Sequence, residues 1–188
     1  MPSLSEAERR AILELAREAI REAVHQDRLT QSIPENEIFK RRCGVFVSLH
    51  VQGRLRGCIG VVDAHEPLGT SIVRSAAGAA LEDPRFSRMR PDELAELEIE
   101  VSLLSGLQRI QPEEIEIGRH GLVVEQGSRR GLLLPQVALE HHLDRERFLE
   151  ETCLKAGLDR GAWKEADTKI YGFSCEIASE AGKGILEN

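Results

Sequence analysis

Residues 45–51, VFVSLHV, put Val45, Val47, Leu49 and Val51 on one side of an extended chain and Phe46, Ser48 and His50 on the other. The alternation predicts a half-buried strand. Gln52-Gly53 supplies turn chemistry, so LRGCIGVV is read as the returning strand of a hairpin. Upstream, SLSEAERRAILELAREAIREAV repeats apolar side chains at helical spacing through Ile12, Leu13, Ala16, Ile20, Ala23 and Val24, and Ser5 with Glu8 forms a capping box at its start. Pro67 opens a second helix, LGTSIVRSAAGAALED, whose small residues suit close packing. Asp83-Pro84 ends it. PDELAEL is a short helix start, and LEIEVSLLSG sets Leu97, Ile99, Val101 and Leu103 against Glu98, Glu100, Ser102 and Leu104, a strand with one wet face. GRHGLVVEQGSRRGLLLP predicts a second hairpin turning near Gln126-Gly127-Ser128. QVALEHH and DRERFLEETCLKAGL follow as two helical pieces, the second ended by Gly157, and one last strand lies near TKIYGFSCEIA.

Helices at both ends with hairpins between them point to an α+β fold, mostly an antiparallel sheet flanked by helices. At 188 residues, 41% hydrophobic and 30% charged, the chain can bury a core as one domain or as two closely packed lobes, and no repeat or long linker divides it. The formal charge of −7, spread along the chain, argues against nucleic-acid binding. Twenty-residue apolar runs are absent and the first helix has no signal-peptide core, so the expectation is a cytoplasmic protein without a membrane segment. Cys43, Cys58, Cys153 and Cys175 lie far apart with no CxxC spacing, and no HExxH or glycine-rich phosphate pattern occurs. No metal site and no cofactor is expected.

LRGCIG is nevertheless an odd strand, because a strand interior normally avoids glycine and here two flank a single thiol. That block, followed in order by AALEDPRF, VSLLS, GRHGL, GLLLPQVALE and FLEETCLKAGLDRGAW, resembles the AMMECR-type domain, called AmmeMemoRadiSam system protein A in prokaryotes. The likeness runs from about Leu15 to Phe173 as a single domain of the 1–188 chain, and departs at Leu143, where the family often has tryptophan. It implies two lobes, a larger antiparallel sheet and a smaller subdomain, meeting at a cleft. A Memo-type protein, itself similar to non-haem dioxygenases, and a radical SAM protein are the partners it implies. No reaction is implied.

Within these blocks, Cys58 is the candidate nucleophile if Arg56 and nearby backbone N–H groups stabilise its thiolate; otherwise it is a small buried hydrophobe whose glycines admit a tight helix–strand contact. Arg56 and Cys58 share a face only if no bulge intervenes, and Gly57 invites one. Arg85, on the loop after Asp83-Pro84 and anchored by Phe86, suits a carboxylate or phosphate, or else simply pairs with Asp83. His120 is a candidate general base or a satisfied structural histidine. Gln136 either caps the helix it precedes or points its amide into the cleft. The expectation is that Cys58, His120, Arg56, Arg85 and Gln136 converge on a small polar or anionic substrate, or that the chain is a non-catalytic module holding its partners. Cys43, Cys153 and Cys175 are expected to be buried. Glu98 and Glu100 share a strand face, a commonplace of wet sheets.

Overall fold

A computed structural model describes residues 3–26, 28, 29, 32–63 and 65–181. Along the chain come α1 (Glu6–Gln26), α2 (Glu37–Lys40), β1 (Val45–Val51), β2 (Arg54–Val61), α3 (Leu68–Leu81), β3 (Leu97–Leu104), β4 (Gln108–Arg109), β5 (Gly121–Gln126), β6 (Arg129–Leu133), α4 (Pro135–Glu140), α5 (Arg145–Lys155), β7 (Lys169–Phe173) and β8 (Cys175–Ser179). Short 3₁₀ helices occupy Pro91–Glu96, Pro112–Glu114 and Arg160–Lys164. The fold is α+β, with two four-stranded sheets ordered β2-β1-β3-β8 and β4-β7-β5-β6. They belong to two compact units, Met1–Leu104 with Glu176–Asn188, and Ser105–Cys175.

In the first unit the Ser5–Glu8 capping box forms as its sequence dictates: Ser5 N donates to Glu8 Oε2 at 2.9 Å and Glu8 N to Ser5 Oγ at 3.2 Å. The buried stripe of α1 is Ile12, Leu15, Ala16, Ala19, Ile20 and Ala23, and it packs with Ile72 and Ala76 of α3 against Val45, Val47 and Leu49 of β1 and Ile99 and Val101 of β3. The hairpin turns at Gln52 (φ 52°) and Gly53 (φ 71°), both left-handed as a two-residue hairpin turn requires. β1 then pairs antiparallel with β2 and with β3. The wet face expected of β3 is wet only in its first half. Glu98 is exposed and Glu100 half-buried, whereas Ser102 and Leu104 further along the same face are buried.

The second unit is a continuous insertion between β3 and β8. Its hairpin β5–β6 pairs Gln126 with Arg129 across Gly127-Ser128, and β7 joins β5 on the other side. Phe148 and Leu149 of α5 fill its core with Ile115, Leu122, Ala138 and Ile170. Gly157 ends α5 at φ 71°, where its N–H donates to Leu154 O at 2.9 Å. TKIYGFSCEIA is two strands rather than one: the chain leaves β7 in the second sheet, passes Ser174, and enters β8 in the first. Each half is a short strand-like run around one isoleucine, Ile170 or Ile177, and only Ser174 separates them, so the pattern carries little sign of the change of sheet. PDELAEL becomes a six-residue 3₁₀ helix, Pro91–Glu96, rather than an α-helix.

Candidate functional site

The glycines of LRGCIG have a steric reason. A Cβ built on Gly57 would stand 2.0 Å from Ala79 O, so the backbone of α3 lies directly on β2. At Gly60 the Cβ would stand 2.3 Å from Val45 O and 2.4 Å from Phe46 Cγ. This close approach of helix to strand is what sets the end of α3, and Asp83 just past it, beside Cys58.

β2 is an edge strand, and Ser48 of β1 stands directly opposite Cys58, with Ser48 Oγ 3.3 Å from Cys58 Sγ. Such side-chain closeness marks a non-hydrogen-bonded pair, so the N–H and C=O of Cys58 point away from β1, toward the open edge. Asp83 occupies that edge. Its Oδ2 accepts from Cys58 N at 2.8 Å, and the same carboxylate accepts from Arg85 N at 3.1 Å, Arg85 Nε at 3.0 Å and Arg85 Nη2 at 2.7 Å. Arg85 Nη2 also lies 3.5 Å from Cys58 O. The loop that carries these groups is held by Phe86 N donating to Asp83 O at 3.1 Å and by Met89 N donating to Ala80 O at 2.8 Å, with Met89 buried. Pro84 prevents the helix from running on. The Asp83 side chain is only 2% exposed while that of Arg85 is 50% exposed, and the Arg85 guanidinium carbon lies 5.4 Å from the Phe86 ring centroid.

Charges follow from these contacts. The Arg85 guanidinium, above all, holds the Asp83 carboxyl well below the usual carboxylate range, helped by the Cys58 and Arg85 N–H groups and opposed by burial. Asp83 in turn raises Arg85. Burial pushes the Cys58 thiol up from its ordinary value, with Asp83 and Glu100 adding to the rise and Ser48 and Arg85 opposing it. At neutral pH Cys58 is therefore a thiol and not a preformed thiolate nucleophile.

Arg56 goes elsewhere. The β1–β2 register steps from Leu49 opposite Gly57 to His50 opposite Leu55, which leaves Arg56 as the extra residue of a bulge. Its Nε donates to Glu93 Oε1 at 2.7 Å and its Nη2 to Glu93 Oε2 at 3.1 Å, with the two side chains 14% and 18% exposed. Arg56 is the main reason that Glu93 is held below the ordinary carboxylate range. In the second unit, His120 Nδ1 accepts from Glu116 N at 3.1 Å and His120 N donates to Glu116 O at 2.9 Å, so the imidazole closes its own turn. Gln136 is buried in the first turn of α4.

The structure thus brings Cys58 and Arg85 together and adds Asp83 and Ser48, whereas Arg56 is committed to Glu93 and His120 to Glu116. Ser48 could have been found by counting back across the Gln52-Gly53 turn with one residue allowed for the bulge. Glu93 could not, because nothing local links it to Arg56. Among the cysteines, Cys43 and Cys153 are buried as expected, but Cys175, at the start of the edge strand β8, is only half-buried. A groove of about 380 Å³ lined by Glu14, Arg17, Glu18, Arg21, Leu94 and Leu97 lies along α1, with Arg17 bonded to Glu180 and Leu97 O and Arg21 to Glu18. Among the described residues no group of three or more His, Cys, Asp or Glu is arranged to hold a metal ion, and no helix is long and apolar enough to cross a membrane.

Two antiparallel four-stranded sheets in a helix-flanked α+β chain define a known class of structure. The crystal structure of an uncharacterized protein from Pyrococcus horikoshii matches this fold with a TM-score of 0.82 and 38% sequence identity, covering 88% of each chain. The sequence pattern of the AMMECR1 family fits residues 13–178, and the chain belongs to that family. Relatives include a Methanothermobacter thermautotrophicus protein, 40% identical over 95% of this chain and 97% of its own length. Another, from Methanosarcina barkeri, is 42% identical over 98% of each.

Proposed function

We propose that this chain is the ligand-binding component of a system that includes Memo-type and radical SAM proteins, and that it presents a small polar or anionic substrate to them at the Cys58–Asp83–Arg85 edge of β2. The observation that carries this reading is the Asp83 carboxylate, which fixes the Arg85 guanidinium and the Cys58 backbone in one rigid unit while leaving half of Arg85 in solvent. A protonated thiol and a histidine bound to its own turn favour binding over nucleophilic chemistry by this chain alone. The partners supply iron or iron–sulfur chemistry.

A pull-down of the tagged chain against the Memo-type and radical SAM proteins of the same source, followed by mass spectrometry of small molecules carried with the complex, tests the proposal. Cys58→Ser should keep both the complex and the bound ligand, and Arg85→Gln should keep the complex and lose the ligand. Failure to form a complex with either protein overturns the partnership, and a small molecule carried by the parent complex but chemically changed or missing in the folded Cys58→Ser complex restores Cys58 as the nucleophile. The second reading, a scaffold that binds no ligand, is favoured by the same unactivated thiol and requires Arg85→Gln to change nothing.

A further inference from the structure

We infer that the surface at Arg85 takes a planar heteroaromatic ring, stacked on the guanidinium, in preference to a phosphate or other compact anion. The inference rests on the binding role proposed for Arg85 and chooses between the ligand chemistries open to it. Three features lead to the ring. The Arg85 charge is already matched, because Asp83 meets Nε at 3.0 Å and Nη2 at 2.7 Å through both carboxylate oxygens, and Asp83 is almost wholly buried and cannot turn away to water. An anion arriving at this surface therefore meets an ion pair of zero net charge, with a carboxylate just behind the guanidinium. The plane of the guanidinium is set as well: the two-point contact to Asp83 fixes it along one edge, with Nη2 3.5 Å from Cys58 O and the guanidinium carbon over the Phe86 ring, 5.4 Å from its centroid. Finally, half of the side chain remains in solvent. A fixed, flat, weakly hydrated cation whose charge is locally balanced keeps its capacity to stack on a π-face after it has lost most of its pull on an anion.

The test is a titration of the ¹⁵N-labelled full chain with adenosine, nicotinamide and inorganic phosphate, read at the backbone amides of Cys58, Arg85 and Phe86. Adenosine or nicotinamide should shift these amides in a saturable way and phosphate should not. Arg85→Lys, which keeps the charge and loses the plane, should weaken the ring probes at least fivefold, and the amide spectrum of the variant reports whether it is folded. Phosphate binding that equals or exceeds the ring probes overturns the inference and leaves the binding role standing. Ring binding that is untouched in folded Arg85→Lys also overturns it. If none of the three probes moves these amides, the binding role falls together with the inference.

Discussion

Replacing Asp83 by asparagine keeps its shape and removes its charge, which makes it the most informative single change in the molecule. The carboxylate receives the N–H of Cys58 and three N–H groups of Arg85, all of them donors. An amide in its place must direct its own NH₂ at one of those donors and accept from the rest as a neutral group. A hydrogen bond to a charged partner contributes about 1.5–3 kcal/mol, and leaving a buried donor unmet costs a comparable amount. Arg85 is half in water and recovers solvation when its partner weakens, so the loss falls mainly on the edge N–H of Cys58 and the Arg85 backbone, and D83N should cost about 2–3 kcal/mol. For a chain of this length that is a fall in melting temperature of roughly 4–12 °C. The cost also has a pH signature. Asp83 is held below its unfolded value, so its contribution is complete above about pH 4 and is lost as pH falls through the depressed native value. Urea midpoints by far-UV circular dichroism for both proteins at pH 7 and at successive steps below pH 4 should therefore converge as the solution is acidified. A D83N protein within 0.5 kcal/mol of the parent at pH 7, or a difference that does not shrink in acid, would refute the reasoning.

Other expectations follow from single contacts. Gly57→Ala drives a methyl to 2.0 Å from Ala79 O, a backbone atom, so α3 must move and the cost should reach about 3 kcal/mol, while Gly106→Ala, with no atom within 4 Å, should stay within about 0.5 kcal/mol; equal urea midpoints would dismiss the close helix–strand contact. Iodoacetamide with peptide mapping at pH 7 should label half-buried Cys58 and Cys175 before Cys43 and Cys153, and the Cys58 rate should keep climbing past pH 9 without levelling near neutrality; a plateau near pH 7 would reveal an activated thiolate. Gly53→Ala meets no neighbour but must hold φ 71°, so thermal denaturation should show a loss of about 1 kcal/mol that comes from backbone strain alone.

Local features of this fold are readable from residue order because their causes are local. The capping box at Ser5 and Glu8, the Gln52-Gly53 turn, the break at Asp83-Pro84 and the Gly157 stop each depend on a few neighbouring residues, and each lies where the sequence puts it. The alternation in β1 also tells correctly which side faces the helices. What escapes is set by distant parts of the chain. β3 becomes an interior strand only because β8, far downstream, lies beside it, and the passage from one sheet to the other at Ser174 has no Pro, Asn or Asp to mark a turn. The candidate site divides in the same way. Arg85 beside Asp83 is legible as a two-residue neighbour pair, and a bulge near Gly57 is legible from glycine chemistry, but the bond from Asp83 to the Cys58 N–H and the capture of Arg56 by Glu93 arise only when α3 settles on β2.

The order in which the ribosome delivers the strands gives the inserted unit a temporal meaning. β2, β1 and β3 can pair once Leu104 has emerged, but β8, which covers the other side of β3, is separated from it by the whole of Ser105–Cys175. At roughly 5–20 residues per second those ~70 residues take roughly 4–14 s to synthesise. During that interval β3 is itself an edge, apolar on the core face and β-prone, and open to pairing with another nascent chain. Of the second unit only the β5–β6 hairpin and the helices can form meanwhile, because β7, which lies between β4 and β5, emerges at the end of the interval; once it pairs, the bonds from Ser105 N to Ser174 O (2.8 Å) and from Ser174 N to Ser105 Oγ (2.9 Å) draw the two ends of the insertion together. Closing that neck delivers β8 to the waiting edge of β3 and shortens the loop that the first sheet must close from about seventy residues to a few. Synthesis slowed within Ser105–Cys175 prolongs the exposed interval, and aggregation of the nascent chain should rise with it.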